Sequence, residues 1–342
     1  MLDDLKYINQ KDPAATLEIA RQEFLQLKHD FKFSDKTNQK ITNIVFCGMG
    51  GSALAALISQ SWPGYYIPFE VVRNYYLPNY VNKRTLVIIS SYSGNTEETL
   101  SALEDALKRM AQIVIISSGG KLLRIANDEK LPMIRIPGGL QPRYSVYYNL
   151  VALLEILVNY NLAPPEKLQE LHDSATFLQN VASQWEAEIP TKHNLAKRIA
   201  LETSGKSVVI YGGPITAPAA YKWKISFNEN AKQVAWWNQF SEYNHNEFIG
   251  WSKQPILKPY CLIELRSKYE HPRILKRFII SDKLLSGLRP NPIVVDLKGE
   301  SILENLLYGI TLGDFSSLYS AILGGVNPEP VKLIERLKKE LA

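Results

Sequence analysis

Ser91-Tyr92-Ser93-Gly94-Asn95-Thr96-Glu97-Glu98 places four hydroxyl side chains and a glycine in its first six residues, directly after the apolar run Thr85 to Ser90. A strand that runs through small hydroxylated residues into a helix start suits a phosphate. The helix N-terminus offers backbone N–H groups without intrahelical partners and a partial positive charge. Serine and threonine hydroxyls add donors without bulk. Glu97 and Glu98 fit a first helical turn, with Thr96 or Asn95 as the N-cap. A cap needs only one or two such groups, so the excess of hydroxyls points to a bound anion. A second loop of this kind is Cys47-Gly48-Met49-Gly50-Gly51-Ser52-Ala53. Gly48, Gly50 and Ala53 fit a relaxed dinucleotide fingerprint, which would bring NAD or FAD. Against that, Ser52 puts a hydroxyl where a pyrophosphate must approach, and the next strand ends Val71-Val72-Arg73. Glu70 is the acid a ribose requires only if that strand ends early. Two hydroxyl-bearing loops at two strand ends favour convergence on one phosphate.

The elements that must carry these loops read as alternating strands and helices. Leu17, Ala20, Phe24, Leu27 and Phe31 have helical spacing and predict one amphipathic lead-in helix over 14–32. Strands are expected at Ile41 to Cys47, Ile67 to Val72, Thr85 to Ser90, Gln112 to Ser117 and Met133 to Ile136. Helices are expected at Ala53 to Gln60, about 97–110 and Tyr147 to Tyr160. Ala163-Pro164-Pro165 opens a helical connector running to about Ile189, and a further helix covers Asn194 to Glu202. The alternation then resumes with strands at Ser207 to Tyr211, Gln233 to Trp237, Tyr260 to Arg266 and Ile293 to Leu297. Between and after them lie helices at Ala217 to Phe227, Arg273 to Leu285, Ile302 to Leu323 and a C-terminal one bearing Leu333, Ile334, Leu337 and Leu341. Short strands alternating with helices indicate βαβ units and parallel sheets. Both halves follow one strand, glycine-loop, helix plan, so the fold class is α/β with two doubly wound, Rossmann-like or flavodoxin-like αβα sandwiches.

With 342 residues, about two domains are expected. A net charge of +5 without a long basic run gives no sign of nucleic-acid binding, while a mild positive balance attracts an anionic metabolite. Cys47 and Cys261 are too few and too far apart for a disulfide framework or a metal site. No signal peptide opens the chain. The apolar segments read as too short and too interrupted to span a bilayer. A cytoplasmic location is expected.

The two loops, Gly48 to Ser52 and Ser90 to Thr99, resemble the sugar isomerase (SIS) superfamily. Gln141-Pro142-Arg143, Asn228-Glu229-Asn230-Ala231-Lys232 and Glu242-Tyr243-Asn244-His245-Asn246-Glu247 narrow the resemblance to bifunctional phosphoglucose/phosphomannose isomerases. It extends from Ile41 to the C-terminal helix. It implies an N-terminal SIS domain with its lead-in helix over 1–160, a helical connector over 161–195, and a second SIS domain with a C-terminal helix over 196–342. The implied reaction interconverts glucose 6-phosphate, and also mannose 6-phosphate, with fructose 6-phosphate through a cis-enediolate, a step of glycolysis and gluconeogenesis. Neither a metal nor an organic cofactor is implied.

The resemblance also assigns roles. Glu229 matches the carboxylate base that moves a proton between C1 and C2. His245 matches the histidine that opens the sugar ring, a task suited to an imidazole. Arg143 matches the arginine that stabilises charge on the enediolate oxygen. Lys338 resembles a C-terminal helix lysine that assists ring opening, although Lys338-Lys339 also suits a helix C-terminus electrostatically. Gly51, Ser52, Ser91, Ser93 and Thr96 hold the phosphate. In this family the histidine comes from the neighbouring subunit, so a homodimer is implied. The chain departs from the pattern at Ala53, where glycine is common, and at Tyr144-Ser145-Val146. His29, His172, His193 and His271 read as solvated. Two other functions compete: a non-catalytic SIS-type regulator that holds a phosphosugar, and an oxidoreductase using the Gly48 loop for NAD. Glu229 and His245 argue against the first.

Overall fold

The chain is described from a computed structural model that covers residues 1–37, 39–253 and 259–341. In chain order it opens with α1 (Leu5–Lys11), α2 (Thr16–Gln22) and α3 (Phe24–Leu27). The predicted lead-in helix is therefore broken. Asp12 accepts hydrogen bonds from the Thr16 and Leu17 amides, both at 2.9 Å, and so sets a helix start at Thr16.

The first α/β run follows: β1 (Asn43–Cys47), α4 (Gly50–Ser61), β2 (Phe69–Val72), β3 (Thr85–Ser91), α5 (Glu97–Lys108), β4 (Gln112–Ser117), α6 (Gly120–Asp128) and β5 (Met133–Arg135). A 3-10 turn at Pro142–Tyr144 leads into α7 (Val146–Asn159), and α8 (Pro165–Ala182) and α9 (Leu195–Thr203) continue the chain. The second run comprises β6 (Ser207–Gly212), α10 (Ala217–Glu229), β7 (Ala235–Gln239), a 3-10 turn at Glu242–His245, α11 (Glu247–Gly250), β8 (Tyr260–Arg266), α12 (Pro272–Leu284) and β9 (Ile293–Asp296). It closes with α13 (Ile302–Leu323) and α14 (Lys332–Leu341).

The strands form two all-parallel sheets of order β2-β1-β3-β4-β5 and β7-β6-β8-β9. The β1/β3 pairing sets Ile44 opposite Leu86, and its counterpart β6/β8 sets Val208 opposite Cys261. Every residue of β3 is buried, as expected of a central parallel strand covered on both faces. Val45, Val87, Ile89 and Ile115 fill the core of the first sheet, and Val209, Tyr211, Leu262 and Phe278 that of the second.

Two compact units result. The inner one is Gln22–Phe177; the outer one joins Met1–Arg21 to Leu178–Ala342. The first 21 residues thus fold with the second sheet: Tyr7 donates its hydroxyl to the Ile322 carbonyl at 3.2 Å, and Asp3 accepts the Thr191 amide at 2.8 Å.

One expectation needs correction. The 22-residue α13 is long and apolar enough, by length and composition, to cross a membrane. It is instead a core helix, buried at every residue from Leu303 to Ile322 except Glu304 and packed against α10 and α9.

Candidate active site

The first hydroxyl loop is not a loop throughout. Helix α4 begins at Gly50, so Gly51 and Ser52 form its first turn. A β-carbon on Gly51 would stand 2.7 Å from the Pro142 carbonyl oxygen and 3.0 Å from the Arg143 amide. Only glycine lets this helix start lie directly on the turn that carries Arg143. Ser52 is buried, and its Oγ accepts the Tyr92 amide at 3.2 Å. That bond ties the end of β1 to the end of β3, and the two hydroxyl loops do meet within the inner unit.

Beyond Ser91 the chain turns through Gly94 at φ +67°, where a side chain would collide with the Gly119 carbonyl. The buried Ser91 Oγ lies 2.7 Å from Thr96 Oγ1 and accepts the Gly94 amide at 3.2 Å. Thr96 is the N-cap residue of α5, yet its side chain makes no capping bond, and Glu97 and Glu98 occupy the first turn. The hydroxyls are thus turned toward one another and not spent on the helix. Ser93 is exposed and accepts the Asn95 amide at 3.3 Å.

Arg143 is 1% exposed, with its guanidinium carbon 4.5 Å from the Tyr144 ring centroid. Its turn is fixed by groups that no local pattern announced. Gln26 donates to the Tyr144 carbonyl, while Asn149 donates to the Ser145 carbonyl at 2.9 Å and accepts the Ser90 hydroxyl at 3.0 Å. Ser117, Ser118 and Tyr92 brace the serine loop likewise: Ser117 Oγ donates to the Ser91 carbonyl at 2.7 Å, Ser118 Oγ donates to the Tyr92 carbonyl at 2.6 Å, and the Leu140 amide donates to the Tyr92 hydroxyl at 2.8 Å. Their partners are distant in sequence, so spacing gave no signal. Glu70, the acid that a ribose would need, lies inside β2 and accepts the Tyr80 hydroxyl.

The remaining assigned residues lie in the outer unit, each on its own element. Glu229 is the last residue of α10 and half-buried. Its motif neighbours fix that helix end. Asn228 accepts the Ala235 amide at 2.9 Å, and the buried Asn230 donates to Ser317 Oγ at 2.9 Å. Lys232, at φ +52°, caps the helix by donating to the carbonyls of Glu229, Asn327 and Pro328 at 2.8–2.9 Å. His245 ends a 3-10 turn and is exposed. Around it Tyr243 is buried against Tyr211 and Phe240, and Asn244 donates to Ser281 Oγ at 2.9 Å. Glu247 accepts from the Tyr211 hydroxyl and from Asn238. The motif anchors Tyr243, Asn244 and Glu247 and presents the imidazole. Lys338 lies on α14, a helix without a buried residue. Two histidines read as solvated are only partly so: His29 packs on Phe31 and Tyr148 with ring centroids 4.2 and 5.3 Å away, and His172 Nδ1 lies 2.6 Å from the Leu27 carbonyl oxygen.

Two parallel α/β units, one with a hydroxyl-lined crevice at the strand ends, define an SIS-domain protein. The SIS domain model matches residues 38–159, and the model of the bacterial phospho-glucose isomerase C-terminal SIS domain matches residues 192–341. A glucose-6-phosphate isomerase like protein from Thermus thermophilus shares the fold at TM-score 0.68 and 16% identity, over 99% of this chain and 98% of its own. The chain belongs to the bifunctional phosphoglucose/phosphomannose isomerase family. It is 38% identical to the Caldicellulosiruptor bescii bifunctional phosphoglucose/phosphomannose isomerase over 89% of this chain and 91% of that one. Identity to the Thermoplasma volcanium protein of the same name is also 38%, over 94% and 99%. A D-glucosamine-6-phosphate 4-epimerase of Sulfolobus acidocaldarius is similar at 28% identity over 89% and 90%.

Proposed function

We propose that this chain is an aldose–ketose isomerase that interconverts glucose 6-phosphate and mannose 6-phosphate with fructose 6-phosphate. The relationship at 38% identity, over nearly the whole of both chains, to proteins bearing both activities in their name carries this reading. The geometry of the inner unit supports it: the strand ends that bear Gly51, Ser52, Ser91, Ser93 and Thr96 present hydroxyls and a helix N-terminus, the donors a phosphate monoester needs.

In the mechanism Glu229 takes the proton from one carbon of the open-chain sugar and returns it to the adjacent one. One C–H bond breaks at C2 or C1 and one forms at the other carbon, while a proton passes between O2 and O1, so that carbonyl and hydroxyl exchange places through the enediolate. Arg143 offers a permanent charge to the enediolate oxygen. Its burial makes that charge effective, since a low local dielectric strengthens the attraction. His245 protonates and deprotonates the ring oxygen and the anomeric hydroxyl during opening, and Lys338 assists.

A homodimer in which each His245 serves the neighbouring subunit is part of the same reading. Its support is the exposure of His245 and of the apolar residues Leu333 at 81% and Leu337 at 58% on α14. We place the enzyme in the cytoplasm, in glycolysis and gluconeogenesis. The deciding experiment offers fructose 6-phosphate in deuterated water and identifies every aldose formed and its labelled carbon. Glucose 6-phosphate and mannose 6-phosphate carrying deuterium at C2 are expected. Absence of both aldoses, or conversion of glucosamine 6-phosphate to its C4 epimer in their place, would overturn the reading.

A further inference from the structure

The two sheets share a strand plan. β6 corresponds to β1, β7 to β2, β8 to β3 and β9 to β4, because both sheets run in the order second, first, third, fourth. Each therefore has a crevice at the carboxyl ends of its first and third strands, where the topology switches direction and ligands of such sheets collect. In the inner unit hydroxyls stand in that crevice. In the outer unit the corresponding place is filled by a carboxylate of the chain itself.

Glu270 belongs to the segment between β8 and α12, the counterpart of the serine loop, and is 4% exposed. Its Oε1 accepts the Ile215 amide at 2.9 Å and the Thr216 amide at 3.0 Å, and lies 3.3 Å from Thr216 Oγ1. Those amides lead into α10, a 13-residue helix with no acidic residue in its first turn and no capping bond from the Thr216 side chain. Gly213 makes room: a β-carbon there would overlap the Glu270 carboxyl group. A carboxylate bound by two backbone N–H groups and a hydroxyl at a helix start has the contacts a phosphate would make. Burial pushes the Glu270 carboxyl above the usual range, and the hydrogen bonds from Thr216 and Ile215 oppose that shift.

We propose that Glu270 is a built-in anion occupying the outer unit's counterpart of the phosphate crevice, so that each chain has one phosphate seat and loss of this carboxylate opens a second. The first half of that statement rests on the phosphate reading of the inner unit; the second does not. The test titrates the full chain with inorganic phosphate by calorimetry. One site per chain is expected for the wild type, weakened by Ser93→Ala. Two sites are expected for Glu270→Ala, the new one indifferent to Ser93→Ala, and phosphate is expected to raise the melting temperature of this variant more than that of the wild type. Glu270→Gln keeps an acceptor at the helix start and is expected to retain a single site. Two sites in the wild type, or no gained site in Glu270→Ala, would overturn the proposal. If the alanine variant folds only when phosphate is present, the proposal stands; if it stays unfolded in phosphate, the proposal fails. A wild type that binds no phosphate while Glu270→Ala binds one would remove the inner-unit reading and leave the built-in anion intact.

Discussion

Glu229 ends a helix whose last turn is held by its motif neighbours: Asn228 fixes the approach to β7, Asn230 bonds α13, and Lys232 caps the carbonyls. Replacing the carboxylate by an amide of equal size leaves that scaffold alone. Glu229→Gln is therefore expected to lower kcat about 10²- to 10⁴-fold, the usual worth of a positioned acid or base, with an unchanged melting curve. Ser91→Ala tests the other end of the reaction. Ser91 Oγ meets Thr96 Oγ1 and the Gly94 amide, and loss of such a bond costs about 0.5–1.5 kcal/mol. KM for fructose 6-phosphate is expected to rise about 2- to 12-fold with kcat nearly constant, the sign of an interaction made equally in ground and transition states. At this scale the meeting of the two hydroxyl segments was legible in the sequence, because Ser52, Ser91 and Thr96 lie where strands pass into helices and the composition alone was odd. Gln26, Asn149 and Ser117 were not legible. They work through partners brought close by the fold, and as single polar residues in a chain they look like any surface group.

Helices α10 and α13 meet along a buried face that carries charge. Lys222 and Asp314 form an ion pair there, 1% and 0% exposed, and Ser226 donates to the same carboxylate at 2.6 Å. Asp314→Ala would leave an ammonium group in the core without its counter-ion, at a cost of about 3–5 kcal/mol read by urea unfolding. The combined change Lys222→Met, Ser226→Ala and Asp314→Leu is expected to be neutral or stabilising. Beneath α12, Glu264 on β8 meets Arg266 at 2.6 Å and Arg289 at 3.1 Å. Burial pushes its carboxyl up to about 7, against the pull of Arg266. An unfolded glutamate titrates near ~4.3, so between these values the folded chain keeps a proton that the unfolded chain has lost. The stability from this group is full at acid pH and falls as pH rises toward 7. Unfolding free energy is expected to drop more between pH 5 and pH 8 in the wild type than in Glu264→Gln. Strands and long helices could be read in advance, since a run such as Thr85 to Ser90 has one physical explanation in a chain of this kind. The nine-residue α6 and the seven-residue α1 were passed over. Their apolar stripes are too short to show a period, and their ends are set by contacts made after folding.

A dimer with shared histidines predicts complementation. Inactive Glu229→Gln and inactive His245→Ala, denatured and refolded together, would form hybrids in which one site has both groups. Recovery of about a quarter of wild-type activity is expected for random reassociation of a symmetric pair, and no recovery would show that each subunit supplies its own histidine. The division of the chain carries a different consequence. The inner unit is one unbroken stretch, Gln22–Phe177, whereas the outer one is made from both extremities. On the ribosome the opening segment emerges first and has nothing to fold onto. Its anchor points at Thr191 and Ile322 follow on the order of 10–60 s later at ordinary elongation speeds. The nascent chain must finish its middle before residues 1–21 find a place, and that segment is the last piece to be set.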